Sequence, residues 1–167
     1  MLLKRILLFG VCLIAMPLGT CTVSAESDGA VPEPVIEAPD MNAFWATHAA
    51  HRQRGDLDAA TSILAEDCVL VEPFQPPVSG LENIAPKMKE ALAMTEIHHV
   101  SFESQEVYHH GGWLVDFGTF SETFSLNGEE GRHVVQGNYA AVLEQDVNGD
   151  WKVKRFMALP SKSVPPE

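Results

Sequence analysis

Cysteine is scarce in this chain: there are three in 167 residues, and two of them, Cys12 and Cys21, fall at the very start. The remaining one, Cys68, has no partner for an internal disulfide, so the fold must hold without a covalent staple. In this pattern Cys68 is expected to be a small buried apolar residue. Basic residues are also few, 11 Lys and Arg against 23 Asp and Glu, for a net charge of −12. That balance excludes binding to nucleic acid through a basic surface. Phosphate-loop, nucleophile-elbow and zinc-protease helix motifs are all missing, and with them the chemistries they carry, so no cofactor is expected. Beyond residue 25 there is no apolar run long enough to span a bilayer, and no internal repeat.

The one long apolar run lies at Ile6–Leu18, behind Lys4 and Arg5 and ahead of Val23-Ser24-Ala25. A basic start, a short apolar stretch and a small-x-small exit predict a secretory signal over residues 1–25. Lipidation at Cys21 is the alternative; Thr20 directly before it is a poor residue for such a site. Cutting after Ala25 removes two bases and no acid, which takes the net charge from −12 to −14. An exported protein, periplasmic or extracellular, is expected. Residues 26–39, acidic and carrying Pro32, Pro34 and Pro39, read as a flexible leader, and residues 161–167 as a frayed tail. One domain over residues 40–160 remains.

Within it, Asp40 is a good N-cap for a helix bearing Met41, Phe44, Trp45 and His48 on one stripe and ending near Gly55. Asp56 caps a second, short helix. Cys68–Glu72 reads as a strand stopped by Pro73. Ser79 with Glu82 resembles a capping box opening a third helix, with Leu81, Ile84, Met88 and Leu92 on one face and an irregularity at Pro86. From Ile97 the apolar period changes to two. Gly111-Gly112, Asn127-Gly128 and Asn148-Gly149 mark hairpins between four long strands. Three helices, one short strand and a four-stranded meander define an α+β fold, the helices gathered on one face of a bent sheet.

If each hairpin turn has two residues, Asp116 lies opposite Tyr139, and Leu114, Asp116, Phe120, Phe124, Val135, Tyr139, Leu143 and Phe156 share one sheet face. The other face collects Trp113, Val115, Phe117, Gln136, Val142, Trp151, Val153 and Met157. Both are apolar enough to bury, so helices would cover one and a second copy of the chain the other. A single bulge would swap the assignment beyond it.

Gly55-Asp56-Leu57-Asp58, the stretch Ala65–Pro73, Ser79–Ile84 and the closing Gly149-Asp150-Trp151-Lys152-Val153 together resemble the SnoaL-like and ketosteroid-isomerase-like family of the nuclear-transport-factor-2-like superfamily. The resemblance covers residues 40–159. It implies a cone-shaped α+β barrel around an apolar pocket, in a superfamily that holds isomerases, cyclases, dehydratases and non-enzymatic binders. The family's isomerases carry a catalytic carboxylate before a proline on the first strand, where this chain has Glu72. Their oxyanion-binding tyrosine corresponds to His48, and their second donor to the region of Ala141.

The expected catalytic residues are therefore Glu72, as proton carrier, and His48, as hydrogen-bond donor. Phe44, Trp45, Met88, Asp116, Phe120, Tyr139 and Phe156 are the expected pocket lining. The expected ligand is a small, mainly apolar molecule, and the expected assembly a homodimer; a non-catalytic binding or assembly module is the alternative. Seven histidines invite a metal site. His98-His99 and His109-His110, however, stand about ten residues apart on one strand, too far to share an ion. His99, His133 and Glu122 form only a weak candidate, so no metal is expected.

Overall fold

The computed structural model of the chain describes residues 37–164, with side chains to residue 161. The predicted signal and almost all of the predicted leader lie outside the described residues. Helix α1, Met41–Gln53, starts as expected: the Asp40 carboxylate accepts from the backbone N–H groups of Asn42 and Ala43. It ends in a Schellman motif, with Gly55 at φ 68° and backbone bonds from Gly55 to Arg52 and from Asp56 to His51. Asp56 then caps α2, Leu57–Thr61. Strand β1, Leu64–Val71, is longer than the predicted Cys68–Glu72, and Glu72 lies just beyond its end. A two-residue strand, β2 (Val78–Ser79), follows; the sequence pattern did not indicate it.

Helix α3, Leu81–Met94, opens at Gly80 and not at a Ser79 capping box, because Ser79 is engaged in β2. It runs through Pro86, which removes one internal hydrogen bond. Strands β3 (Thr95–His110), β4 (Trp113–Leu126), β5 (His133–Gln145) and β6 (Trp151–Val164) complete a sheet ordered β2-β1-β6-β5-β4-β3. Among the described residues only the β1–β6 pairing is parallel. Strand β6 continues to Val164, paired with Val134, so residues 161–164 are strand where a frayed tail was expected.

The Gly111-Gly112 turn has two residues, as predicted, with His110 opposite Trp113. The next connection is longer. Asn127 turns aside to close the end of α3, its side-chain amide donating to the Ala93 carbonyl and its backbone N–H to that of Met94. The β4–β5 register moves by two residues, and Asp116 lies opposite Ala141 instead of Tyr139. A shift of two preserves which face each side chain takes, so Leu114, Asp116, Tyr139 and Leu143 are still all buried together.

A bulge between Val142 and Leu143, opposite Lys154, overturns part of the face assignment. Val153 is fully buried and Trp151 packs against the core, not on the outer face where uninterrupted pairing would put them. The core joins Met41 and Trp45 of α1, Ile84 of α3, Cys68 of β1 and Leu114, Tyr139, Ala141, Leu143 and Val153 of the meander. Burying Leu114 and Leu143 alone stabilises the fold by about 1.5–3 kcal/mol each. Burial also pushes the Cys68 thiol up to about 11, as suits an inert core residue. At Gly137 a side chain would run into the Leu159 and Pro160 backbone of β6, so glycine lets β5 and β6 approach there.

Candidate functional site

The concave face of the sheet is closed by aromatic rings. Trp45 contacts Phe44, Phe102, Tyr139 and Phe156, and Phe102 contacts Phe120 and Phe156 in turn. One carboxylate sits among them. Asp116 is fully buried and accepts from Trp45 Nε1 at 2.6 Å, Tyr139 Oη at 2.7 Å and Ser104 Oγ at 2.5 Å. Three donors from α1, β5 and β3 thus replace the water this carboxylate gives up. Burial, and then the bond to Asp116, push the Tyr139 phenol well above its ordinary range. This centre joins four elements, α1, β3, β4 and β5, and has no unfilled donor to offer a ligand.

His48 lies next to it, with its ring against Trp45 and Phe102. Nδ1 is 3.1 Å from the Ala60 carbonyl, which can only accept, so Nδ1 carries the proton and Nε2 a lone pair. Burial, followed by the charge of Arg52, lowers the His48 pKa to about 3. The expected donor role therefore does not fit this ring: its one N–H is already committed to α2.

Open space lies elsewhere, between α3 and the sheet. A cavity of about 640 Å³ is lined by Leu70, Val78, Ile84, Met88, Ile97 and Phe124, among others. Such a volume is typical of small-molecule sites. Glu72, Gln75, Lys87 and Glu90 line it too and are exposed. Inside are two charged groups: Arg52 Nη2 donates to Glu122 Oε1 at 2.9 Å and Oε2 at 3.0 Å, both side chains being about one-fifth exposed.

The expected site residues are therefore divided. Glu72 and Met88 line the cavity. His48, Phe44, Trp45, Asp116, Tyr139 and Phe156 belong to the aromatic cluster and do not line it; Phe120, also in the cluster, borders a second, shallow depression of about 330 Å³ lined largely by Ser, Thr, Asn and Gln. Glu72 and His48 are not brought together in one pocket, because α1 turns His48 towards α2 while β1 carries Glu72 to the α3 side. Glu72 is exposed, and its nearest hydrogen-bond contact is Gln75 Nε2 at 3.5 Å.

Arg52 and Glu122 were missing from the expected lining, although the sequence carries a signal for both. Arg52 continues the stripe of Met41, Trp45 and His48 along α1, and Glu122 alternates with Phe120 and Phe124 on β4. Among the described residues no group of three or more His, Cys, Asp or Glu side chains is placed to hold a metal ion. In the weak triad considered above, Glu122 is engaged by Arg52 and His133 stacks on Phe124. No helix among the described residues is long and apolar enough to cross a membrane.

Helices closing one face of a bent six-stranded sheet, with a side cavity under the third helix, define a cone-shaped α+β pocket domain. The profile of the SnoaL-like domain matches residues 43–154, and the chain belongs to that family. Solved structures share the fold. A ketosteroid isomerase-like protein from Erwinia carotovora atroseptica superimposes with a TM-score of 0.64 at 15% identity, over 75% of this chain and 99% of that one. A hexachlorocyclohexane dehydrochlorinase gives 0.62 at 12% identity, over 76% and 86%. A nuclear transport factor 2-like superfamily protein from Salmonella enterica serovar Typhimurium gives 0.63 at 10% identity, over 75% and 91%. No curated protein matches the chain by sequence.

Proposed function

We propose that this SnoaL-like domain is exported and binds a small, mainly apolar molecule in the α3 cavity, with Glu72 moving a proton to or from it. The observation that carries the reading is the cavity itself: about 640 Å³, walled largely by aliphatic side chains and Phe124, with the carboxylates of Glu72 and Glu90 at its exposed edge. The family and fold neighbours include proteins described as isomerase-like and as a dehydrochlorinase, which is consistent with proton-transfer chemistry on apolar substrates. His48 has no part in that step, for the tautomeric reason given above.

Mass spectrometry of what copurifies from an exporting host tests binding. A bound apolar metabolite is expected, and an empty protein would count against the reading. Once a substrate is identified, Glu72→Gln should abolish turnover and leave the melting temperature unchanged; full turnover in that variant would remove Glu72 from the mechanism. The mature amino terminus, read in the same experiment, should begin at Glu26 if the chain is exported by signal cleavage.

A homodimer through the outer sheet face belongs to the same reading. Tyr108, Trp113, Phe117, Met157 and Leu159 are all exposed there, more large apolar surface than a solitary sheet face usually leaves in water.

A further inference from the structure

We propose that the Arg52–Glu122 pair is the polar anchor of the cavity and selects neutral, mainly hydrocarbon ligands carrying a carbonyl or hydroxyl group, against carboxylates of the same size. The inference rests on the α3 cavity being the ligand site and goes beyond it by naming the ligand class. Among the polar side chains of the lining, Glu72, Gln75, Lys87 and Glu90 are exposed, and the Thr95 hydroxyl is spent on the Ala91 carbonyl. Directed polar contacts away from water are thus left to Arg52 and Glu122.

Glu122 takes both of its bonds from Nη2. Among the described residues no acceptor takes a bond from Arg52 Nε or Nη1, so the guanidinium retains N–H donors in a fixed plane. A ligand carbonyl can accept from them without disturbing the pair, and a hydroxyl can also donate to Glu122. A carboxylate cannot do so cheaply. It would bring a second anion to an arginine already neutralised, in a cavity lined by Glu72, Glu90 and Glu122 against Arg52 and Lys87. It must either displace Glu122, leaving that charge half-buried and unpaired, or lie beside it in repulsion.

The test uses three ten-carbon probes, 2-decanone, 1-decanol and decanoate, titrated into the full chain carrying ¹³C-methyl methionine. Met88 and Met94 line the cavity and report occupancy there. In the wild type, 2-decanone and 1-decanol should shift these methyls and bind roughly tenfold or more tightly than decanoate at pH 7. Glu122→Gln keeps the side-chain shape but frees the guanidinium charge. In that variant decanoate should gain roughly tenfold, while 2-decanone stays within about threefold of its wild-type affinity. Occupancy of the cavity with no preference between heads, or an unchanged ratio in Glu122→Gln, overturns the anchor and leaves the ligand site standing. If no probe moves Met88 or Met94 in a protein that melts cooperatively, the cavity reading falls and the inference with it. Arg52→Lys provides a second variant: it keeps the charge but loses the planar fork, and 2-decanone should weaken.

Discussion

Trp45 and Asp116, 71 residues apart in the chain, meet through a 2.6 Å hydrogen bond from the indole Nε1 to a carboxylate oxygen, with no solvent access to either side. This bond ties the first helix to β4, the strand next to the β3 edge of the sheet, and its geometry decides what the concave face can hold. With Tyr139 and Ser104 on the same carboxylate, the rings around it close into a solid cluster, and the usable space moves out under α3.

Replacing Asp116 by Ala strands two buried donors, Trp45 and Tyr139, and the half-buried Ser104, and should cost about 3–5 kcal/mol of unfolding free energy. Asp116→Asn keeps one acceptor but turns an N–H₂ group towards a donor, and should cost less, about 1–3 kcal/mol. Urea titration followed by tryptophan fluorescence measures both. Equal stability of Asp116→Ala and wild type would mean that the cluster does not depend on the carboxylate.

His48 sets a pH dependence of known sign. Its pKa falls from 6.5 in the unfolded chain to about 3 in the fold, chiefly through burial. Between those values the unfolded state binds the extra proton, so stability is complete above about pH 6.5 and declines as the pH drops towards 3. The slope contributed by this group approaches about 1.4 kcal/mol per pH unit. Unfolding curves at pH 4.5, 5.5, 6.5 and 7.5 should show that decline in the wild type. His48→Gln, whose amide can still donate to Ala60, should show a shallower one, and parallel curves would refute the assignment.

Gly137 faces the β6 backbone where a Cβ would lie 2.7 Å from Pro160 Cα. Since backbone cannot rotate aside as a flexible side chain can, Gly137→Ala should destabilise the fold by about 1–3 kcal/mol. Gly111, which has open space around it but φ of 57°, should lose less on the same change. Thermal melts of the two variants compare them directly.

The outer sheet face gives the fourth expectation. Trp113→Asp places a charge among exposed apolar side chains and should convert a dimer to a monomer in analytical ultracentrifugation without lowering helix content. Trp151 is not an equivalent site, because the bulge at Val142 turns it against the core, and Trp151→Asp should unfold the domain. A wild-type monomer at high concentration would end the dimer proposal.

Much of the architecture was legible because it depends on local chemistry. Asp40 and Asp56 cap the first two helices with their own side chains, Gly55 supplies the left-handed turn between them, and Gly111-Gly112 closes a two-residue hairpin. Each of these is decided within a few residues of chain. Face assignment on β4 was also legible, since a two-residue register slip leaves alternation intact.

The rest depended on contacts that no local pattern encodes. Asn127 looks like a hairpin residue, but its amide is drawn to the end of α3, which opens the turn and shifts β5. Lys154 gives no local sign of the bulge that sends Val153 and Trp151 inward. The sequence by itself determined that Trp45, His48 and Asp116 occupy core-facing positions on their elements, and its periodicity carried the same, unread signal for Arg52 and Glu122. Only the tertiary structure decided which of them seal the cone and which two pair beside the cavity. That choice is made by which donors and acceptors, from strands and helices far apart in the chain, come within about 3 Å of each other once buried.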